Sequence, residues 1–163
     1  MDPTFLAYFR QAVDRATDQL LTFSDIEAAS RPAPGKWSPK EIIGHLIDSA
    51  SNNHGRFVRA QLQDDLIFAG YDQDAWVRAQ RYQERSWVDL VRFWQAFNHH
   101  IATVMETADP HEVTRPRARH NLDQLAWRSV STMQSTTLGY FMRDYVEHLQ
   151  HHLRQALALP TPD

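Results

Sequence analysis

The residues with the most chemical potential lie near the C-terminal end, in Asp144-Tyr145-Val146-Glu147-His148-Leu149-Gln150-His151-His152. In a helix, at about 100° per residue, His152 falls about 40° from His148. Phe141, Tyr145 and Leu149 fall on the same side, within about 100°. His151 points about 60° the other way, toward Asp144 and Glu147. His148 and His152 are therefore one turn apart on the core side, a spacing with which two imidazoles can hold one metal ion. The zinc-protease pattern HExxH uses the same spacing, but Leu149 stands where its glutamate would be, so that chemistry does not carry over. Two core-edge histidines hydrogen-bonded to neighbours would show the same spacing.

A third donor must come from elsewhere, and His45 is the best placed. It borders an apolar side formed by Ile42, Leu46 and Phe57 with Asn53. Ser49, Asn52 and Arg56 lie within about 40° of it on the helical wheel. Buried polar groups are costly unless paired, so this ribbon should line a cavity or coordinate something. The alternative is a helix rotated so that the ribbon faces water. His54 lies on the opposite face from His45. His99 is expected to be solvated, whereas His100, nearer an apolar seam, is a candidate partner for a ligand. His111 and His120 fall in a stretch without a clear period. Candidates to orient a ligating imidazole are Asp48, Asp72 and Glu147.

Three neutral imidazoles would leave a divalent ion with open positions. Such an ion lowers the pKa of water, which serves hydrolysis, or of a thiol, which serves thiol transfer. The chain has nine histidines and no cysteine. There can be no disulfide, cysteine-ligated metal or cysteine nucleophile, and any thiol in the reaction must arrive as substrate.

The elements that must position these residues are helical. Asp2 and Pro3 open a first helix to about Leu21, with Phe5, Phe9, Ala12, Val13, Ala16 and Leu20 as its stripe. A connector with a short turn over Asp25 to Ala29 follows. Ser38-Pro39-Lys40-Glu41 is a capping box opening a second helix to about Gln63. Residues 64–85 read as irregular, with a short helix from Asp72 through Trp76. Ser86 opens a third helix that ends at Asp109-Pro110 and buries Leu90, Trp94, Phe97, Ile101 and Val104. Residues 111–135 carry no clean period; residues 121–130 fit a short helix, or the whole stretch is a loop with a hairpin. The fourth helix starts near Thr136 or Thr137 and stops before Pro160. Four amphipathic helices of this length predict an all-α four-helix bundle in a single domain over residues 1–163.

Seventeen Lys and Arg against twenty Asp and Glu give a net charge of −3. That disfavours a nucleic-acid binder built on a basic surface. No apolar run approaches the roughly 20 residues of a membrane span. The first residues do not form a secretory signal, so the expected compartment is cytoplasmic. No phosphate-binding glycine motif is present.

Taken in order, Trp37-Ser-Pro-Lys-Glu41, His45-Leu-Ile-Asp48, Gly70-Tyr71-Asp72 with Trp76, and His148-Leu-Gln-His-His152 resemble the DinB-like superfamily, in particular its YfiT-like metal-dependent hydrolases and thiol S-transferases. The resemblance spans about Phe5 to Leu157. It implies an up-and-down bundle with a long crossover and a divalent metal, commonly nickel or zinc, on three histidines. Matched by position, these are His45, His148 and His152. It also implies a small-molecule substrate, including a low-molecular-weight thiol in some members. The family and the aromatic third helix together suggest a homodimer. Ser49, Asn52, Arg56 and Tyr145 are the candidates for the substrate pocket, with Trp76 as a further shaping residue. Arg56 could orient an anionic group or pair with an acid such as Asp144.

Overall fold

The computed structural model describes residues 1–158, and within them the last helix stops at Leu157, before Pro160 as expected. The architecture is all-α. Helix α1 spans Pro3–Leu20, α2 Asp25–Ala29, α3 Pro39–Ala60, α4 Gln73–Gln80, α5 Trp87–Thr107, α6 Pro110–Thr114, α7 Leu122–Leu125 and α8 Leu138–Leu157. A single 3-10 turn, Tyr82–Glu84, follows α4. Among the described residues there is no sheet, only two isolated bridges, Leu66 with His120 and Arg117 with Thr136. No described helix is long and apolar enough to cross a membrane.

The helix starts follow from local chemistry. The Asp2 carboxylate accepts from Thr4 N at 2.9 Å, and Pro3 takes the first position, where a missing N–H costs nothing. At α3 the Ser38 hydroxyl accepts from Glu41 N, and the Glu41 carboxylate accepts from Ser38 N at 2.9 Å. Ser24 and Glu27 repeat this box at α2. The stripes sit slightly off the expected positions. In α1, Leu6 and Thr17 are buried while Phe5 and Ala12 are only partly covered; in α5, Asn98 and Met105 are buried while Phe97 and Val104 are half-buried. Arg143 over the Phe5 ring, 4.5 Å from its centroid, covers that side chain from outside.

Helices α1, α3, α5 and α8 pack around one core. Helix α1 packs chiefly on α5 and α8, and α3 likewise, so α1 stands diagonally across from α3. The connection from α1 to α3 therefore crosses one end of the bundle. The connection from α5 to α8, residues 108–137, makes the long crossover. Its register is held by the two bridges and by side chains. Asn121 accepts from Phe68 N at 3.1 Å and donates to Phe68 O at 2.8 Å. Arg117, buried, donates to Ala60 O at 2.9 Å and to the Glu112 carboxylate at 2.6 Å. The bonds to Phe68 and Ala60 span more than fifty residues, which explains why no period marks this stretch. It contains two short helices and no hairpin.

Helix α4 extends four residues beyond Trp76, to Gln80, because Arg81 stops it in the left-handed region at φ 53°. Helix α3 ends at Ala60, and Gln61 turns back to donate to Phe57 O at 3.1 Å.

Candidate metal centre

Helix α3 supplies His45, and α8 supplies His148 and His152. One ligand atom from each lies within 4.8 Å of the others. His45 Nε2 and His148 Nε2 are 3.3 Å apart. The rings meet edge to face, with centroids 4.6 to 5.2 Å apart. His45 is buried and the other two are half-buried. Burial, with a smaller effect from His152, pushes the pKa of His45 down to about 3; burial and the neighbouring imidazoles do the same for His148. Burial also lowers His152, opposed by its bond to Gln155. All three are therefore neutral near pH 7, with lone pairs to give.

These residues fit a divalent cation. His45 Nδ1 is buried without a hydrogen-bond partner, while its Nε2 faces His148 Nε2 in the cluster. His152 is oriented better: its Nδ1 lies 2.8 Å from Gln155 Oε1, which requires the proton on Nδ1 and leaves the Nε2 lone pair free. The Gln155 amide then donates to His151 Nε2 at 3.0 Å. The wheel set His151 aside as a ligand, and in the fold it anchors the residue that orients one.

None of the acids expected to orient a ligand does so. Asp48 accepts from Tyr82 Oη at 2.7 Å and from Gln80 Nε2. Asp72 caps α4 through Ala75 N. Glu147 pairs with Arg128. An acid near a histidine in sequence is not near it in space once helix phase and caps claim it. His100 is also remote from the centre: its Nε2 lies 3.2 Å from His54 Nε2, on the far face of α3. His99 pairs with Asp14 at 2.7 Å.

Two connectors cover the imidazoles. Trp37 lies 5.0 Å from His45 and 6.4 Å from His152, ring to ring. Trp127 lies 5.6 Å from His148 and 4.5 Å from His151. Asp144, one turn before His148, fixes Trp127 in place by accepting from Trp127 N at 2.8 Å and Arg128 N at 2.7 Å. Burial raises the Asp144 pKa, and the two amides partly counter it. The role of Trp127 was invisible in sequence, because it depends on a loop held by a carboxylate 17 residues away.

The centre opens on a cavity of about 360 Å³ lined by all three histidines. Ser49, Arg56 and Tyr145 line it as well. Asn52 does not. It folds back to donate to Asp48 O at 2.9 Å, and its neighbour Asn53 takes the place in the wall. Tyr145 contributes only its ring, since its hydroxyl donates to Asn98 Oδ1 at 2.6 Å. Tyr71 also lines the wall, and burial with the nearby Asp48 charge pushes its phenol up to about 12. Trp76 is not in the wall but packs on Tyr71, with ring centroids 4.9 Å apart. Arg56 makes no ion pair with Asp144. It donates to Ala69 O at 2.8 Å, with Asn53 Oδ1 at 3.4 Å.

The chain is thus an all-α bundle with a three-histidine cluster able to coordinate a divalent metal. The DinB superfamily model matches residues 7–156, and the chain belongs to that superfamily. Its fold is similar to the solved structure of YfiT from Bacillus subtilis, with a TM-score of 0.71 and 17% identity over 96% of this chain and 86% of that one. That protein is described as a probable metal-dependent hydrolase with an unusual four-helix bundle topology. A search of curated proteins finds no match.

Proposed function

We propose that the protein is a metal-dependent enzyme holding nickel or zinc on His45, His148 and His152 and acting on a small molecule in the adjoining cavity, by transfer of a low-molecular-weight thiol or by hydrolysis. The observation that carries this reading is the convergence of three neutral imidazoles, from two helices, in the wall of that cavity. A bound divalent ion would supply Lewis acidity and lower the pKa of a coordinated thiol or water.

The chain's own residues do the positioning. Gln155 holds the His152 tautomer. Trp37 and Trp127 shield the imidazoles from bulk water. Tyr71 keeps its proton at neutral pH and presents a hydroxyl to the cavity. The carboxylate in the wall, Asp144, already accepts from two backbone amides, so a thiol or a water on the ion would be activated by the ion itself and release its proton to solvent.

The test begins with protein purified without a metal-affinity tag. Elemental analysis should find about one nickel or zinc per chain, and His148→Ala should lose at least nine-tenths of it. Turnover is then screened with low-molecular-weight thiols plus electrophiles, and separately with esters and amides. Turnover in one of the two screens that is absent in His148→Ala is the expected result. Unchanged metal content in His148→Ala would sink the proposal.

A further inference from the structure

We infer that the cavity beside the three histidines takes an organic carboxylate, with the carboxylate seated on Arg56. This rests on the proposed function only in treating that cavity as a substrate site.

Three Lys or Arg side chains are buried among the described residues: Lys40, Arg56 and Arg117. Two have a carboxylate. Lys40 Nζ lies 2.8 Å from Asp25, and Arg117 lies 2.6 Å from Glu112. Arg56, 4% exposed, has none, since no ion pair among the described residues includes it. Its two acceptors, Ala69 O and Asn53 Oδ1, are neutral. An unpaired buried charge is among the costliest features a fold can carry. The one that stays unpaired here is the one that faces a cavity.

The chemistry of the counter-ion follows from the wall. A guanidinium has five N–H donors in a planar fork that matches a carboxylate two-on-two. Arg56 is the one Lys or Arg lining the cavity, and the one carboxylate there, Asp144, is already taken by the backbone amides of Trp127 and Arg128, so the guanidinium fork is left for a ligand that brings a carboxylate of its own. The body of the ligand meets Tyr71, Leu125, Trp127, Phe141 and the ring of Tyr145, which suits an apolar or aromatic chain. Arg56 lies eleven residues beyond His45 on nearly the same face of α3, roughly 16 Å along the axis. The carboxylate is therefore bound away from the imidazoles and orients the far end of the molecule.

The experiment uses 3-phenylpropionate and its neutral amide as probes, titrated calorimetrically into the protein as purified at pH 7.5. The carboxylate is expected to bind at least tenfold more tightly than the amide. Arg56→Gln should lose at least tenfold for the carboxylate and little for the amide, and Arg56→Lys should recover part of it. His148→Ala, with the metal centre broken, should still bind the carboxylate at least tenfold more tightly than the amide. The Arg56 Nε–Hε resonance of the wild type should shift on adding the carboxylate, a readout that survives if Arg56→Gln does not fold. Equal binding of acid and amide, or an unmoved Arg56 resonance, overturns the proposal. So does a loss in His148→Ala without one in Arg56→Gln, which would put the carboxylate on the metal centre. Loss of metal binding as a premise, with the Arg56 results intact, would remove the proposed reaction and leave the carboxylate site standing.

Discussion

His152 and Gln155 show how one residue can be decisive without touching a ligand. An imidazole binds metal through one nitrogen only if the other holds the proton, and here a carbonyl oxygen 2.8 Å away keeps it there. Gln155→Leu removes that acceptor and, with it, the exposed amide bond to His151. Losing a partner that orients a metal-bound histidine typically costs ten- to a hundredfold in affinity. Gln155→Leu should therefore weaken nickel or zinc binding by about tenfold or more, with the melting temperature of the metal-free protein within a few degrees of wild type. A competition titration with a chromogenic chelator measures it, and unchanged affinity would show that the amide has no part in orienting His152. His45, whose Nδ1 has no partner, relies on packing against Trp37 for its orientation.

At the scale of elements, α3 carries more of the design than any other helix. It packs against α5 and α8, and it presents His45, Ser49 and Arg56 to the cavity. Its other side holds the segment after α4 through Tyr82, whose hydroxyl reaches Asp48. Gly44 makes that approach possible: a Cβ there would lie 2.1 Å from the Tyr82 ring. Two effects compete in Gly44→Ala. Alanine gains about 1 kcal/mol of helix propensity over glycine. Forcing a buried ring aside costs typically 1–3 kcal/mol and here also strains the bond to Asp48, whose Oδ2 already lacks a partner. The clash should win, and urea denaturation should show Gly44→Ala destabilised by about 1–2 kcal/mol. A stabilised variant would mean that the segment from Tyr82 onward moves freely against α3.

For the whole molecule, the buried histidines tie stability to pH. The folded pKa values of His45 and His148 lie near 3, below the ordinary 6.5. Below pH 6.5 the unfolded chain takes up protons that the folded one refuses, so stability falls as pH drops from that point. Burial gives His54 a shift in the same direction. Buried Asp48 and Asp144, both raised by burial, act in the opposite sense, through a window that opens upward from 3.8. Metal-free protein should therefore lose urea resistance between pH 7 and 5, by up to about 1.4 kcal/mol per pH unit for each histidine. Replacing His45 and His148 by Gln should flatten that slope, and a slope that stays the same would place the titration elsewhere.

Much of this was legible beforehand, for local reasons. Capping boxes and 3.6-residue stripes act within a few residues, so the four long helices and their starts could be read from the chain. The i, i+4 spacing put His148 and His152 on one face, and helix phase placed His45, Ser49 and Arg56 together. Residues 111–135 were illegible because Asn121, Arg117 and Asp144 hold them through bonds to distant partners. The sequence by itself determined which side chains share a helix face, since that depends only on helical geometry. Tertiary packing decided which faces meet. It brought Trp127 over the imidazoles, made Gln155 rather than an acid the partner of His152, exchanged Asn52 for Asn53 in the wall, and left Arg56 buried at the cavity without a carboxylate. Each of those outcomes depends on the rotation and diagonal placement of whole helices, to which no single segment is sensitive.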